Sequence, residues 1–313
     1  MHTSPDTLPA LSIGAVERDT GLSKDILRVW ERRYGFPAPA RDSNGDRVYP
    51  QPQVEKLRAI RRLIDQGLRP GKLIPKSLTQ LHEIADRLGN ETDIPKGHEQ
   101  TVADFLGLLA QHRVDDLRRR LAAEAGRLGL FAFLTELVAT LGQAVGDAWA
   151  SGRIATHEEH TYSHVLTSVL HSEIAALDVP RQPPRIVLAT FPEESHVLGL
   201  LMAEALMAME GAVCVSLGGQ LPLYEIARGA SANRADVVGV SFSAAYPTTQ
   251  IGHGVADLRA QLPRDTELWV GGAGAARLRR TPPGVTVVTS LPQLRQAIRH
   301  WREHGRTDRS APN

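Results

Sequence analysis

The stretch TGLSKDILRVWERRYG, residues 20–35, reads as a glycine turn followed by a capped helix. Gly21 can take the left-handed backbone that closes one helix, and Ser23 is a good N-cap for the next. Upstream and within it, Ile13, Val16 and Leu22, then Ile26, Leu27 and Trp30, recur at helical spacing and are expected to face a core. A short helix, a glycine turn and a second helix make a helix-turn-helix. The second helix carries Lys24, Arg28, Arg32 and Arg33. Downstream, FPAPARDSNGDRVY (36–49) holds Asn44-Gly45, a strong hairpin signal, so a wing bearing Arg41 and Arg47 is expected. An Arg-rich helix follows from Pro52 to about Gly67. A helix laid in a major groove can offer Arg28, Arg32 and Arg33 to phosphates and guanine edges. The same arginines also suit a solvated face paired with Asp25 and Glu31.

The charge balance narrows the choice of partner. The 313 residues carry a net charge of +1, yet residues 1–76 hold 14 Lys and Arg against 9 Asp and Glu, a net of +5. The remaining 237 residues hold 22 against 26, a net of −4. A basic head on an acidic body suggests that the head alone meets a polyanion. Hydrophobic content of 42% and charged content of 23% suit globular domains. One cysteine, Cys214, excludes an intramolecular disulfide framework and a cysteine metal cluster. The polar N-terminus MHTSPDTLPA shows no secretion pattern, and no apolar run approaches the ~20 residues of a membrane helix. A cytoplasmic protein with no membrane partner is expected.

Beyond the head (10–74), residues 75–98 are polar, with Pro75, Pro95 and Gly97, and read as a linker around a possible short helix. Residues 99–180 carry four amphipathic stripes, the third through Phe131, Leu134, Leu137, Leu141 and Val145, and are expected to form a four-helix bundle. Residues 185–305 alternate apolar runs with helical stretches. The runs Ile186–Ala189, Val213–Leu217, Val237–Val240, Leu268–Val270 and Val285–Val288 predict a doubly wound parallel five-stranded sheet. The fold class is therefore multidomain α and α/β: a winged helix-turn-helix head, a helical bundle and a Rossmann-like domain.

Ligands of such sheets bind beyond the strands' carboxyl ends. Glu194, His196 and Gly199 follow the first expected strand, Ser241 and Ser243 the third, and Gly271-Gly272 the fourth. Neutral imidazole is a good cobalt ligand and a carboxylate can orient it, while paired glycines let a bulky group approach the backbone. A lone histidine on a loop equally suits a surface or capping role. In the bundle, Trp149 closes the third helix, Gly152 breaks the chain, and Glu159-His160 open the fourth. A flat ring and two polar groups could converge on one ligand face; a core Trp beside a solvated run His157–His160 is the plainer reading.

The residues of the head resemble the MerR family, through Ile13–Val16, Thr20–Gly35 and the wing segment Arg47-Val48-Tyr49. That resemblance implies dimeric binding to double-stranded operator DNA at an inverted repeat, with contacts by Lys24, Arg28, Arg47 and Tyr49. The body resembles the cobalamin-binding Rossmann-like domain, whose pattern is Asp-x-His-x-x-Gly, Ser-x-Leu and Gly-Gly. Here 41 residues separate Gly199 from Ser241, and 27 separate Ser243 from Gly271. Glu194 stands for Asp and Ser243 for Leu. The resemblance implies His196 as the lower axial cobalt ligand, with Ser241 and Gly271-Gly272 lining a channel for the nucleotide tail. The segment Val145–Trp149 through His160 resembles light-sensing repressors of the CarH and LitR type, which implies that Trp149, Glu159 and His160 cover an upper adenosyl group. That group implies adenosylcobalamin as cofactor, dark assembly as a dimer or tetramer, and release by light. Ala150 follows the Trp where such proteins often have His, which leaves open a sensor that does not use light, or one of haem or bilin. A corrinoid methyl-transfer protein is the remaining alternative, disfavoured by the head; a nucleophile-and-base pair is not evident, so no enzyme is expected.

Overall fold

The computed structural model describes residues 10–90, 98–244, 246–278 and 280–304. Its contacts divide the chain into two compact units. One holds the described parts of Met1–Lys96 together with Gly142–Glu159; the other holds those of Gly97–Leu141 and His160–Asn313.

In the first unit, β1 (Leu11–Ser12) leads into α1 (Ile13–Thr20), which starts on Ser12 and stops at Gly21, where φ is 67°. Ser23 then caps α2 (Lys24–Tyr34) by accepting a hydrogen bond from Ile26 N. Such a cap stabilises a helix by about 1 kcal/mol. Strands β2 (Ala40–Arg41) and β3 (Arg47–Tyr49) form the expected hairpin, with Asn44-Gly45 in its loop. The Asp42 carboxylate holds that loop by accepting from Asn44 N and Asp46 N, both at 2.9 Å. β1 pairs with the other side of β3, making a three-stranded antiparallel sheet. Helices α3 (Gln51–Asp65), α4 (Pro70–Leu73) and α5 (Leu78–Asn90) complete the head. Its core includes Val16, Leu27, Trp30, Tyr49 and Ile60. Much of the stretch expected as linker is thus helix, and its Leu81 and Ala85 lie in the same core; residues 91–97 of it lie outside the described residues.

Two sequence expectations change here. Ile26, expected in the core, is 39% exposed, and Val29 beside it 41%. Tyr49, expected on DNA, is fully buried, because β3 is the middle strand and Tyr49 sits opposite Leu11 of β1. Its hydroxyl has no hydrogen-bond partner among the described residues.

Four helical segments follow: α6 (Glu99–Ala110), α7 (Val114–Leu128), a third, and α10 (Thr156–Ala175). The third is built from α8 (Leu130–Ala132), a π-helical segment (Phe133–Val138) and α9 (Ala139–Ala150). Within the second unit, Arg118 of α7 donates to Ser168 Oγ of α10 at 2.7 Å. By length and composition alone, Leu130–Trp149 would also pass as a membrane-spanning helix. Its Phe133, Leu134, Leu137 and Leu141 are fully buried inside the protein, as in a core helix.

The five-stranded sheet is wholly parallel: β4 (Gln182–Ala189), β5 (Ala212–Gly218), β6 (Val237–Ser241), β7 (Glu267–Gly271) and β8 (Val285–Val288), in the order β5-β4-β6-β7-β8. Alternation along β4 sends Ile186 and Leu188 to one face, under α11 (Leu198–Met209) and α15 (Leu291–His304). Val187 and Ala189 go to the other, under α12 (Leu223–Ala232) and α13 (Thr248–Gln261). The short α14 (Gly272–Ala275) follows β7. Each buried Val, Leu or Ile contributes roughly 1.5–3 kcal/mol, so both faces are needed. The order reverses between β4 and β6, and a crevice opens at such a reversal, outside the strands' carboxyl ends.

Candidate functional site

The loop after β4 is built around Thr190 and Glu194, both buried. Thr190 Oγ1 donates to Glu194 O at 2.7 Å and accepts from Gln220 N at 2.9 Å. This ties the loop to the end of β5 and turns the Glu194 carboxylate inward, where it is 1% exposed. Glu194 Oε1 accepts from His196 N at 2.9 Å and pairs with His196 Nδ1 at 2.7 Å. Its other oxygen, Oε2, accepts from Ser243 N at 2.7 Å and from Ser243 Oγ at 2.9 Å. Burial pushes this carboxyl up, but the hydrogen bonds from His196 and Ser243 outweigh it and hold Glu194 below the usual carboxylate range. An ionised carboxylate on Nδ1 sets the tautomer and orientation of the ring, so a metal would be met by Nε2. The His196 side chain is 43% exposed.

The two departures from the cobalamin-domain pattern therefore touch each other. Glu194 reaches one methylene further than Asp would, and Ser243 adds a hydroxyl donor where Leu would offer only its backbone N–H. Both residues flank the point where the strand order reverses.

Beside them lies a cavity of about 200 Å³ between the sheet and α11 and α15. It is lined by Gly199, Ser241, Gly271 and Gly272 together with apolar side chains that include Leu188, Met207 and Trp269. Gly272 has φ of 87°, and a Cβ there would lie 2.3 Å from Phe242 O. A Cβ on Gly199 would meet only Ser241 Oγ, at 3.6 Å. The first glycine is demanded by the backbone; the second leaves room in the cavity lining. A largely apolar cavity in the same strand-end region as an oriented imidazole suits a large ligand that carries a metal. The residues present fit a corrinoid on these grounds. Cys214 of β5 has its thiol pushed up to about 12, chiefly by burial.

The expected cap residues are divided between the two units: Trp149 and Glu159 belong to the first, His160 to the second. Trp149 is half-buried near the end of α9, and its Nε1 donates to Thr156 Oγ1 at 3.4 Å. Glu159 is half-buried and His160 exposed in the first turns of α10. Sequence reading missed Arg62, whose guanidinium carbon lies 4.8 Å from the centroid of the Trp149 ring. A desolvated contact of this type is worth about 2 kcal/mol.

In the head, Arg32 and Arg33 are exposed on α2. Arg28 pairs with Asp25 at 3.1 Å and Lys24 with Glu17 at 3.6 Å, both at exposed positions. Exposed pairs of this type are worth ~1 kcal/mol or less and yield readily to a phosphate. Arg47 is held more firmly, by Glu31 at 3.0 Å. Tyr49 lies beneath them in the core. The exposed Ile26 and Val29 on α2 were missed as candidates; apolar side chains among arginines on such a helix suit thymine methyl groups.

Residues 11–73 match the family model of the MerR HTH family regulatory proteins. The chain is 33% identical to the HTH-type transcriptional repressor CarH of Myxococcus xanthus, over 82% of this chain and 86% of that protein. It is 29% identical to the HTH-type transcriptional repressor CarA of the same organism, over 85% and 87%. Among solved structures, the Methanosarcina barkeri monomethylamine corrinoid protein superposes with a TM-score of 0.50 at 13% identity, covering 65% of this chain and all of that one. That likeness is one of fold.

Proposed function

Because the chain belongs to the family of HTH-type transcriptional repressors that includes CarH and CarA, we propose that it represses transcription under control of a corrinoid, adenosylcobalamin, with light as the signal. The observation that carries this reading is the Glu194–His196 pair at the strand-order reversal, held by Ser243, a few residues along the chain from Gly199 and Ser241 of the cavity lining.

His196 would hold cobalt through Nε2, with the proton on Nδ1 kept there by Glu194. The cavity would take the nucleotide tail along the sheet. Trp149, Glu159 and His160 would cover the upper side and keep water from it. When bound, the corrinoid supplies a visible chromophore and a light-sensitive cobalt–carbon bond. The chain's part is to be one assembly in the dark and another after light. As a dimer or tetramer it presents several heads to one operator, and joined heads bind with an avidity that single heads lack. Arg28, Arg32, Arg33 and Arg47 would meet the DNA, in the cytoplasm, and the protein is read as a regulator rather than an enzyme.

The test is uptake. Purified protein is titrated in the dark with adenosylcobalamin, haemin and biliverdin, and the visible spectrum followed. Near-stoichiometric uptake of adenosylcobalamin, weakened in His196→Ala, is expected. Preference for haemin or biliverdin, or a His196→Ala variant that binds as tightly as the parent, would refute the assignment.

A further inference from the structure

Arg62 belongs to the head by sequence and to the cap by contact. It lies on α3, is 8% exposed, and its guanidinium stacks on the Trp149 ring at 4.8 Å. Its Nε has no hydrogen-bond partner among the described residues. Asp19, the acid that acts on it, is engaged by Arg58 through two hydrogen bonds of 2.8 and 2.9 Å. Burial, with Arg58 nearby, pushes the Arg62 guanidinium down to about 10. A buried cation without a carboxylate of its own is costly, and the π face of Trp149 is what it has instead.

A second tie lies one helical turn on. Gln66 Nε2 donates to Asp147 Oδ1 at 3.0 Å, and Gln143 Nε2 donates to the same oxygen at 3.1 Å. Asp147 is 3% exposed. The break at Gly152 closes on the same surface: a Cβ there would lie 3.6 Å from His82 Nε2 and 4.0 Å from Arg62 Nη1. One face of the head thus grips both the segment that carries Trp149 and the turn that ends it.

We propose that Arg62 is a positioning residue for Trp149, and that the DNA-binding head, through α3, sets the orientation of the ring that caps the cofactor. The inference rests on Trp149 being that cap. An indole has two faces; with Arg62 on one, the other is presented in a fixed direction. Coupling between two sites is reciprocal, so what tightens Trp149 onto a ligand also steadies α3. Head and Trp149 then communicate within one compact unit, through Arg62–Trp149 and Gln66–Asp147.

The test uses the full-length protein with Arg62→Met, Arg62→Lys and Trp149→Phe, singly and combined, after thermal melts show which variants fold. Without ligand, the accessibility of Trp149 to acrylamide is read as the difference in quenching between each protein and its Trp149→Phe counterpart. It should rise in Arg62→Met and less in Arg62→Lys, which retains the charge. With adenosylcobalamin, Arg62→Met should weaken binding by about five-fold or more, and by much less in the Trp149→Phe background. Unchanged quenching, or the same loss of affinity in both backgrounds, would overturn the proposal. Should Arg62→Met not fold, Arg62→Lys carries both readings. A parent protein that takes up no corrinoid would sink the functional reading alone, since the quenching experiment still decides the role of Arg62.

Discussion

Ser243 gives both its backbone N–H and its hydroxyl to a single oxygen of Glu194, at 2.7 and 2.9 Å. The opposite oxygen holds His196. The carboxylate is thus clamped from two sides, and the imidazole inherits its orientation from a residue 47 positions away in the chain.

Removing the clamp should loosen the ligand. Ser243→Ala deletes one hydrogen bond to a buried carboxylate, worth about 1.5–3 kcal/mol. Corrinoid affinity should fall about 10-fold or more, as it does when the partner behind a metal ligand is lost. Dark titration by absorbance measures it. Ser243→Leu, which restores the common pattern, should do worse than Ser243→Ala while Glu194 remains, and should be rescued by Glu194→Asp.

The same clamp predicts an acid limit. The Glu194 carboxyl is lowered in the folded protein from a value of 4.5. A depressed acid contributes stability that is complete above its unfolded value and is lost as pH falls through the folded one. Stability measured by urea melts from pH 7 downward should therefore decline below about pH 4.5 less steeply in Glu194→Gln than in the parent. Parallel profiles for the two proteins would show that the clamp is weak.

Tyr49 separates a core role from a DNA role. Its hydroxyl is buried without a partner among the described residues, so Tyr49→Phe should leave operator affinity unchanged and stability equal or slightly higher. Tyr49→Ala should cost ~3–5 kcal/mol of stability. A drop in DNA affinity for Tyr49→Phe, seen by gel shift with folding intact, would return the residue to the interface.

Gly199 and Gly272, both in the cavity lining, should behave differently. Gly272→Ala puts a Cβ 2.3 Å from Phe242 O at a left-handed position and should destabilise the domain, by more than about 1 kcal/mol. Gly199→Phe meets no backbone obstacle, so it should leave the melting temperature near the parent's while blocking uptake of corrinoid. Uptake undiminished in Gly199→Phe would place the tail elsewhere.

Local chemistry was legible in the sequence and long-range chemistry was not. Gly21 and Ser23 end and begin helices as their types dictate, and the five apolar runs form the five strands. Glu194 and His196 stand two residues apart, so their pairing needed no tertiary knowledge. Tyr49 was misplaced because its burial depends on β1, a two-residue strand with no recognisable pattern of its own. Ile26 lies at a helical spacing that counts as core, yet the head packs on Leu27 and Trp30 and leaves it outside. Ser243 in place of Leu has no local reason in the sequence; its hydroxyl bond to the longer Glu194 appears only when β4 and β6 lie side by side. Arg62 and Trp149 are 87 positions apart, and nothing local in either announces the other.

The central claim is that a corrinoid held by His196 makes DNA binding depend on light. A gel-shift titration of adenosylcobalamin-loaded protein against its operator, in the dark and after illumination, tests it most directly. The account predicts tight binding in the dark, loss of the shifted band after light, and no light effect in His196→Ala. Equal affinity in dark and light, with cofactor uptake demonstrated in the same sample, would contradict it.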